Sequence, residues 1–131
     1  MNEESFIKTC EYLNEKLNEA NTGVDDIQKN NTEMSISMSI SDLIDSTSGY
    51  LETDNEELKN LFKIVFNLAC SIKRNAYEAS HYKAEMNRNL SNDDKLAMAS
   101  EMFAIKRKLL KNNYAQMLEA TNNVINMGKT K

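Results

Sequence analysis

The chain has 131 residues, 40% of them hydrophobic and 27% charged, with a formal net charge of −4. One domain of that length buries a core without disulfide or metal staples, and its acidity weighs against a general nucleic-acid binder. The start, Met1-Asn2-Glu3-Glu4-Ser5, has no apolar run of the kind a cleaved secretory signal needs, and the apolar segment from Leu61 to Ile72 is broken by Lys63, Asn67 and Ser71, well short of the roughly 20 residues that span a bilayer. The expectation is a cytoplasmic protein without a membrane span, with export by a route that removes no signal left open.

Taken in chain order, the first predicted element is a helix over 3–21. Phe6, Cys10, Leu13, Leu17 and Ala20 recur at helical spacing, and Gly23 suits the left-handed position after a helix. The segment 24–48 carries two signals. Val24, Ile27, Asn31, Met34 and Met38 keep a three-four spacing, and Ile36, Ile40, Leu43 and Ile44 extend an apolar face. The run from Met34 to Ser41, however, alternates strictly, as a half-buried strand does. A lone strand has nothing here to pair with, so a helix is assigned, with a strand as its alternative.

Residues 46–52, with Gly49, predict a turn. Thr53 and Glu56 have the spacing of a capping box and predict the start of a third helix. Its stripe is Leu58, Leu61, Phe62, Val65, Leu68, Ala69, Ile72, Ala76, Ala79 and Met86, and between Leu61 and Ile72 it is apolar nearly all round, which predicts a central position. Asn89 to Asn92 break the pattern. Ser91 predicts the next N-cap, and Asp93 and Asp94 suit the positive end of a helix. A fourth helix then runs to about 127, with Leu96, Ala99, Phe103, Leu110, Tyr114, Met117 and Val124 inward, Met98, Met102, Ile105 and Leu109 widening that face, and Gly128 at the C′ position.

There is no proline anywhere and no glycine between Gly49 and Gly128. Nothing therefore interrupts the last two helices (about 54–90 and 92–127), which come out nearly equal at about 54 Å, at 1.5 Å per residue. A short connection between equal helices predicts an antiparallel hairpin, with Ala76 and Ala79 opposite Phe103 and Ile72 opposite Leu110. The fold class is all-α: a helical bundle in a single domain, 1–131, built on that hairpin and covered by two shorter N-terminal helices. Charge divides along the same line. Residues 1–55 hold twelve acidic and three basic residues, and residues 56–131 hold eight acidic and thirteen basic ones. The acidic half is expected to lie on the basic half.

Residues that carry chemistry are few. Cys10 and Cys70 have no metal-ligand spacing and are expected as buried, reduced thiols. Glu78-Ala79-Ser80-His81 matches the Glu-x-x-His element of di-iron helical bundles, but such sites need two of these elements and His81 is the only histidine. Only a symmetric dimer would supply the second. The pairs Asp25-Asp26 and Asp93-Asp94 stand where helix starts favour acids. No glycine-rich phosphate loop exists, since Gly23, Gly49 and Gly128 are isolated. No catalytic residue, metal ligand or cofactor site is assigned.

Two features are candidates for binding, although the first reads foremost as a solvated helix face or the intramolecular counterpart of the acidic first helix, with phosphate or acidic-protein docking as the alternative. Lys106-Arg107-Lys108-Leu109-Leu110-Lys111 is the densest basic cluster, and Lys73 and Arg74 are expected near it in the hairpin. It has few interleaved aromatics, which disfavours stacking on single-stranded nucleic acid. Met34, Met38, Met98 and Met102 sit at helical spacing, which predicts core; adaptable binding surface is the alternative for all four, with Met34 and Met38 as candidate partner-binding residues.

The last forty residues resemble the second helix of type III secretion needle subunits, with Leu90-Ser91-Asn92-Asp93 as the polar turn and Leu96 through Val124 as the amphipathic helix. The resemblance covers under a third of the chain and implies a helical-hairpin subunit of a secreted filament. The chain departs from it in having no proline in the turn, two cysteines and an additional N-terminal half.

Together these observations predict a non-enzymatic helical protein–protein interaction module (an adaptor, small chaperone or inhibitor) with an acidic protein partner and a homodimeric or higher state. The filament subunit is the alternative, and a nucleic-acid-associated protein using the basic helix face comes third. Abundant asparagine, and lysine outnumbering arginine, point to an AT-rich bacterial, phage or viral genome.

Overall fold

The computed structural model describes the backbone of residues 1–21, 26–47 and 49–129, and all side chains among these except those of 21, 26–30 and 47. The described residues form four helices: α1 (Glu3–Asn21), α2 (Asp26–Thr47), α3 (Glu56–Arg88) and α4 (Asp93–Lys129). The protein is an all-α bundle on a long antiparallel hairpin. At 1.5 Å per residue, α3 and α4 span about 50 and 55 Å, against about 28 and 33 Å for α1 and α2.

Short-range chemistry sets the starts of α1, α3 and α4. The Asn2 side chain accepts from the Ser5 amide at 2.8 Å, and Glu3 and Glu4 follow at the positive end of α1. Asn55 caps α3, its side chain accepting from the Leu58 amide at 3.1 Å. This corrects the expected Thr53–Glu56 capping box. Thr53 instead accepts from the Asn55 amide at 3.1 Å and donates to the Glu3 carboxylate, tying the linker to the start of α1. Asn92, and not Ser91, caps α4, accepting from the Lys95 amide at 3.2 Å. Asparagine caps as well as serine, and one residue later it brings Asp93 and Asp94 into the first turn. Gly128 is not a C′ residue; it lies inside α4, where a Cβ would sit 3.5 Å from the Ile7 side chain. Gly23 lies outside the described residues. Gly49 has φ +81°, the left-handed conformation that the turn between α2 and α3 requires.

Segment 26–47 is a helix. Thr32, Ile36, Ile40 and Leu43 are buried, and Ile44 is half-buried. Its strict alternation has a helical meaning: residues two apart lie on opposite faces, and residues four apart share one. Ile36 and Ile40 therefore point inward, while Met34 and Met38 are 64% and 63% exposed, against the expectation of core. Asn31, also placed on that stripe, is exposed, and the side chains of Val24 and Ile27 lie outside the described residues. The Ser35 hydroxyl donates back to the Asn31 carbonyl at 3.1 Å, so the serine-rich stretch turns its hydroxyl chemistry onto its own helix.

The helices close into a ring in which α1 touches α2 and α4, α2 touches α3, and α3 and α4 share the most extensive contact. Phe6, Cys10, Leu13 and Leu17 of α1 are buried, and so are Leu58, Phe62, Val65, Ala69, Ile72 and Ala79 of α3. Phe6 meets Phe62 edge to face at 5.2 Å, and Phe62 stacks on Phe66 at 5.9 Å. The expected central position of α3 between Leu61 and Ile72 is not found: Lys63 and Asn67 are exposed and Ile64 is 51% exposed. A ring of four helices has no central member.

Two polar clusters fix register. The Asn14 amide, on α1, donates to Thr121 Oγ1 at 3.1 Å and Asn122 Oδ1 at 2.7 Å, with the Leu118 carbonyl at 3.4 Å. Thr121 is fully buried and donates to the Met117 carbonyl at 2.8 Å. Across the hairpin, the Asn75 amide donates to Asn113 Oδ1 at 2.7 Å, and Lys106 pairs with Glu78 at 2.5 Å.

The caps can be tested by urea denaturation. Asn55→Ala and Asn92→Ala should each lower stability by about 1 kcal/mol with an unchanged m-value. Ser91→Ala, at an exposed residue outside both helices, should stay within about 0.5 kcal/mol of the parent.

Candidate partner-binding groove

Successive residues on a helix point about 100° apart, so Lys106, Arg107 and Lys108 cannot share one patch. Lys106 turns to α3 and pairs with Glu78. Arg107 turns to α2 and pairs with Glu33 at 3.4 Å. Lys108 and Lys111 are exposed. Lys106 is thus turned away from the rest of the basic cluster, while Arg107, Lys108 and Lys111 border one hollow. Lys73 and Arg74 are exposed on α3 and line neither concavity that Arg107 borders.

Arg107 and Met34 do come together. They line a groove of about 630 Å³ among α2, α3 and α4, with Glu33, Ser37, Ser80 and Tyr114 also in its lining. Its floor is apolar, made by Ala76 and Ala79 of α3 and by Phe103 and Leu110 of α4. Ala79 and Leu110 are buried, while Ala76 and Phe103 are half-buried. Lys83 and Arg107 stand at the rim, and Met34 forms the lip on the α2 side. The alanines leave room for a large side chain from outside. Next to this groove, Arg107, Lys108 and Lys111 border a smaller hollow of about 330 Å³ at the end of α1, marked by Ala20. α1 pairs with only the C-terminal part of α4, from Ile7 beside Gly128 to Ala20 beside Tyr114. Met38 goes elsewhere, into a shallow groove between α1 and α2 with Tyr12 and Asp42.

Tyr114 lies at the junction of both concavities. Burial and the nearby Glu33 carboxylate push its phenol up to about 12, against a smaller lowering by Arg107. It stays a neutral hydrogen-bonding group at any ordinary pH. Nothing in the sequence distinguished Tyr114 from other inward residues of α4, because the influence of Glu33 comes from a helix far away in the chain.

Other candidates disperse. His81 is exposed, its ring edge to face with that of Tyr82 at 5.1 Å. Cys10 is buried, its thiol pushed up to about 12 mainly by burial and secondarily by Glu11. Cys70 is half-buried, not buried as expected, and both thiols are free. Among the described residues no group of three or more His, Cys, Asp or Glu is gathered closely enough to hold a metal ion, and no helix is long and apolar enough to cross a membrane. Of the methionines expected inside, Met98 is 69% exposed and Met102 half-buried. No family model matches the chain, and comparison with characterised proteins and with solved structures gave no match.

The two raised groups make a prediction about alkaline stability. Folding holds protons on Cys10 and Tyr114 that the unfolded chain releases near its ordinary values of 9.0 and 10.0. Stability from this source is complete below pH 9 and is lost as pH rises toward 12. The urea midpoint should fall over that window, and Cys10→Ala should shallow the fall. At pH 8, iodoacetamide followed by mass spectrometry should label Cys70 well before Cys10.

Proposed function

We propose that this chain is a non-enzymatic protein–protein interaction module that receives an amphipathic, acidic helix of a partner in the groove between α2, α3 and α4. One observation supports this most: Arg107 and Met34, two binding candidates read from the sequence, border one groove with apolar residues in its floor and Lys83 and Arg107 beside Glu33 at its rim. An incoming helix would lay its apolar side on Ala76, Ala79 and Phe103 as a helix laid in a groove does. Its carboxylates would meet Lys83 and Arg107, with Lys111 steering the approach. The Arg107–Glu33 pair is long and partly exposed at both ends, 44% and 30%. A pair of that kind contributes at most about 1 kcal/mol, so Arg107 can exchange it for a partner carboxylate at little cost. Met34, unbranched and polarizable, adapts to different side chains.

Fluorescence anisotropy with two helical peptides tests this. Both carry the same apolar face; one has acidic flanks and the other basic flanks. The acidic peptide should bind, with affinity falling as salt is raised. Lys83→Glu with Arg107→Glu should weaken binding at least about tenfold, a loss of about 1.4 kcal/mol. Equal binding of both peptides, or an unchanged affinity in the double variant, would remove the groove from consideration.

A further inference from the structure

α4 carries a second apolar surface that the groove does not use. Met98, Met102, Ile105 and Leu109 follow one another at steps of four, three and four residues, the spacing of a coiled-coil seam. The sequence places them inward. The structure places them outside: Met98, Ile105 and Leu109 are 69%, 44% and 41% exposed, and Met102 is half-buried. The groove residues Phe103, Arg107 and Leu110 lie on another side of the same helix. A scattered exposed methionine needs no explanation, but four apolar residues in a line over three turns form a seam without a partner.

The charges beside the seam identify that partner. Glu101 and Lys108 are seven residues apart, so they lie on the same edge of the stripe, and both are exposed. Neither makes an ion pair among the described residues. When two identical helices pair antiparallel, equivalent edges face each other, and here Glu101 of one copy would meet Lys108 of the other, twice. Parallel pairing would instead direct Glu101 to Lys106, which already pairs with Glu78, and Lys108 to Asn113, which accepts from Asn75.

We infer that the outer stripe of α4 is a self-association surface: two copies pair antiparallel about a two-fold axis between Met102 and Ile105, with Met98 against Leu109 of the second copy and two reciprocal Glu101–Lys108 ion pairs closing the edges. The contact is isologous and ends at itself, so it gives a dimer and no chain of subunits. Four apolar residues per copy make a small interface, so the dimer forms and dissociates with concentration. It uses a different side of α4 from the groove and stands or falls independently of it.

Sedimentation velocity of the full chain over a range of concentrations measures it. The parent should pass from monomer to dimer without larger species. Ile105→Glu should raise the dissociation constant at least about tenfold while circular dichroism stays unchanged, since the residue is partly exposed in the monomer. Glu101→Lys and Lys108→Glu should each weaken the dimer, and the two together should restore it. A parent that stays monomeric at the highest concentration, or a dimer indifferent to Ile105→Glu, overturns the surface. Charge reversals that fail to rescue one another overturn the antiparallel arrangement, and open-ended oligomers overturn the two-fold.

Discussion

The seam between α3 and α4 is the constraint on which the rest of the molecule depends. Each of these helices is longer than α1 or α2, and apart from Gly128 near its end the pair contains neither glycine nor proline. Two such rods can meet in several registers one turn apart, because an apolar stripe repeats. The polar pairs choose among them. A slip of one turn, about 5.4 Å, would part Asn75 from Asn113 and Lys106 from Glu78, leaving partly buried groups without partners. The short helices inherit this register. α1 is held to α4 by Asn14 on Thr121, and α2 is held to α3, so each follows one rod and the two meet each other to close the ring.

What could be read from the sequence was what repeats locally. The stripe of α1, the inward side of α3 and the existence of the hairpin all follow from spacing within one helix, and the structure bears them out. The missed features depend on what lies opposite. In α2 the helical period places either the methionines or the isoleucines inside, and only the neighbours decide; they bury Ile36 and Ile40. In α4, apolar residues between 96 and 110 cover more of the circumference than its neighbours can, and the sequence does not show which side lacks a neighbour. Phe103 and Leu110 line the interior and the groove while Met98 and Ile105 remain outside. The caps were missed for a narrower reason. Ser91 and Asn92, adjacent in the chain, offer nearly equal capping chemistry, and the choice lies in the geometry of the turn. The Asn14–Thr121 contact joins residues 107 positions apart, which no local pattern reveals.

The charge asymmetry has a different meaning in three dimensions. Acidic N-terminal and basic C-terminal halves suggested mutual neutralisation, and Arg107 with Glu33 does bridge them. Lys106 with Glu78 joins α4 to α3 within the basic half, and Lys8 with Glu4, Lys59 with Glu56 and Arg88 with Glu85 are each on a single helix. Glu4, Glu11, Glu15, Asp42 and Asp45 remain exposed on α1 and α2, and Lys108 and Lys111 remain exposed on α4. Exposed charges of this kind add little to stability, but they shape the field through which a partner approaches. The bundle is held by its apolar seams, the buried Thr121 and a few half-buried amides, and most of its charge lies on the surface.

The tripeptide Lys106-Arg107-Lys108 shows how closely these roles are packed. Three consecutive cations look like one patch in the sequence, yet helical geometry turns Lys106 to Glu78 and Arg107 to Glu33 and leaves Lys108 exposed. Lys106 is committed inward to Glu78 and helps set the hairpin register. Arg107 stands over the groove, held loosely by Glu33. Lys108 flanks the outer stripe of Met98, Ile105 and Leu109, with no partner of its own among the described residues. Reversing the charge of these residues one at a time should therefore disturb stability, groove binding and self-association separately, and an effect on all three from any one of them would mean that the helix face, and not the individual side chain, is the functional unit.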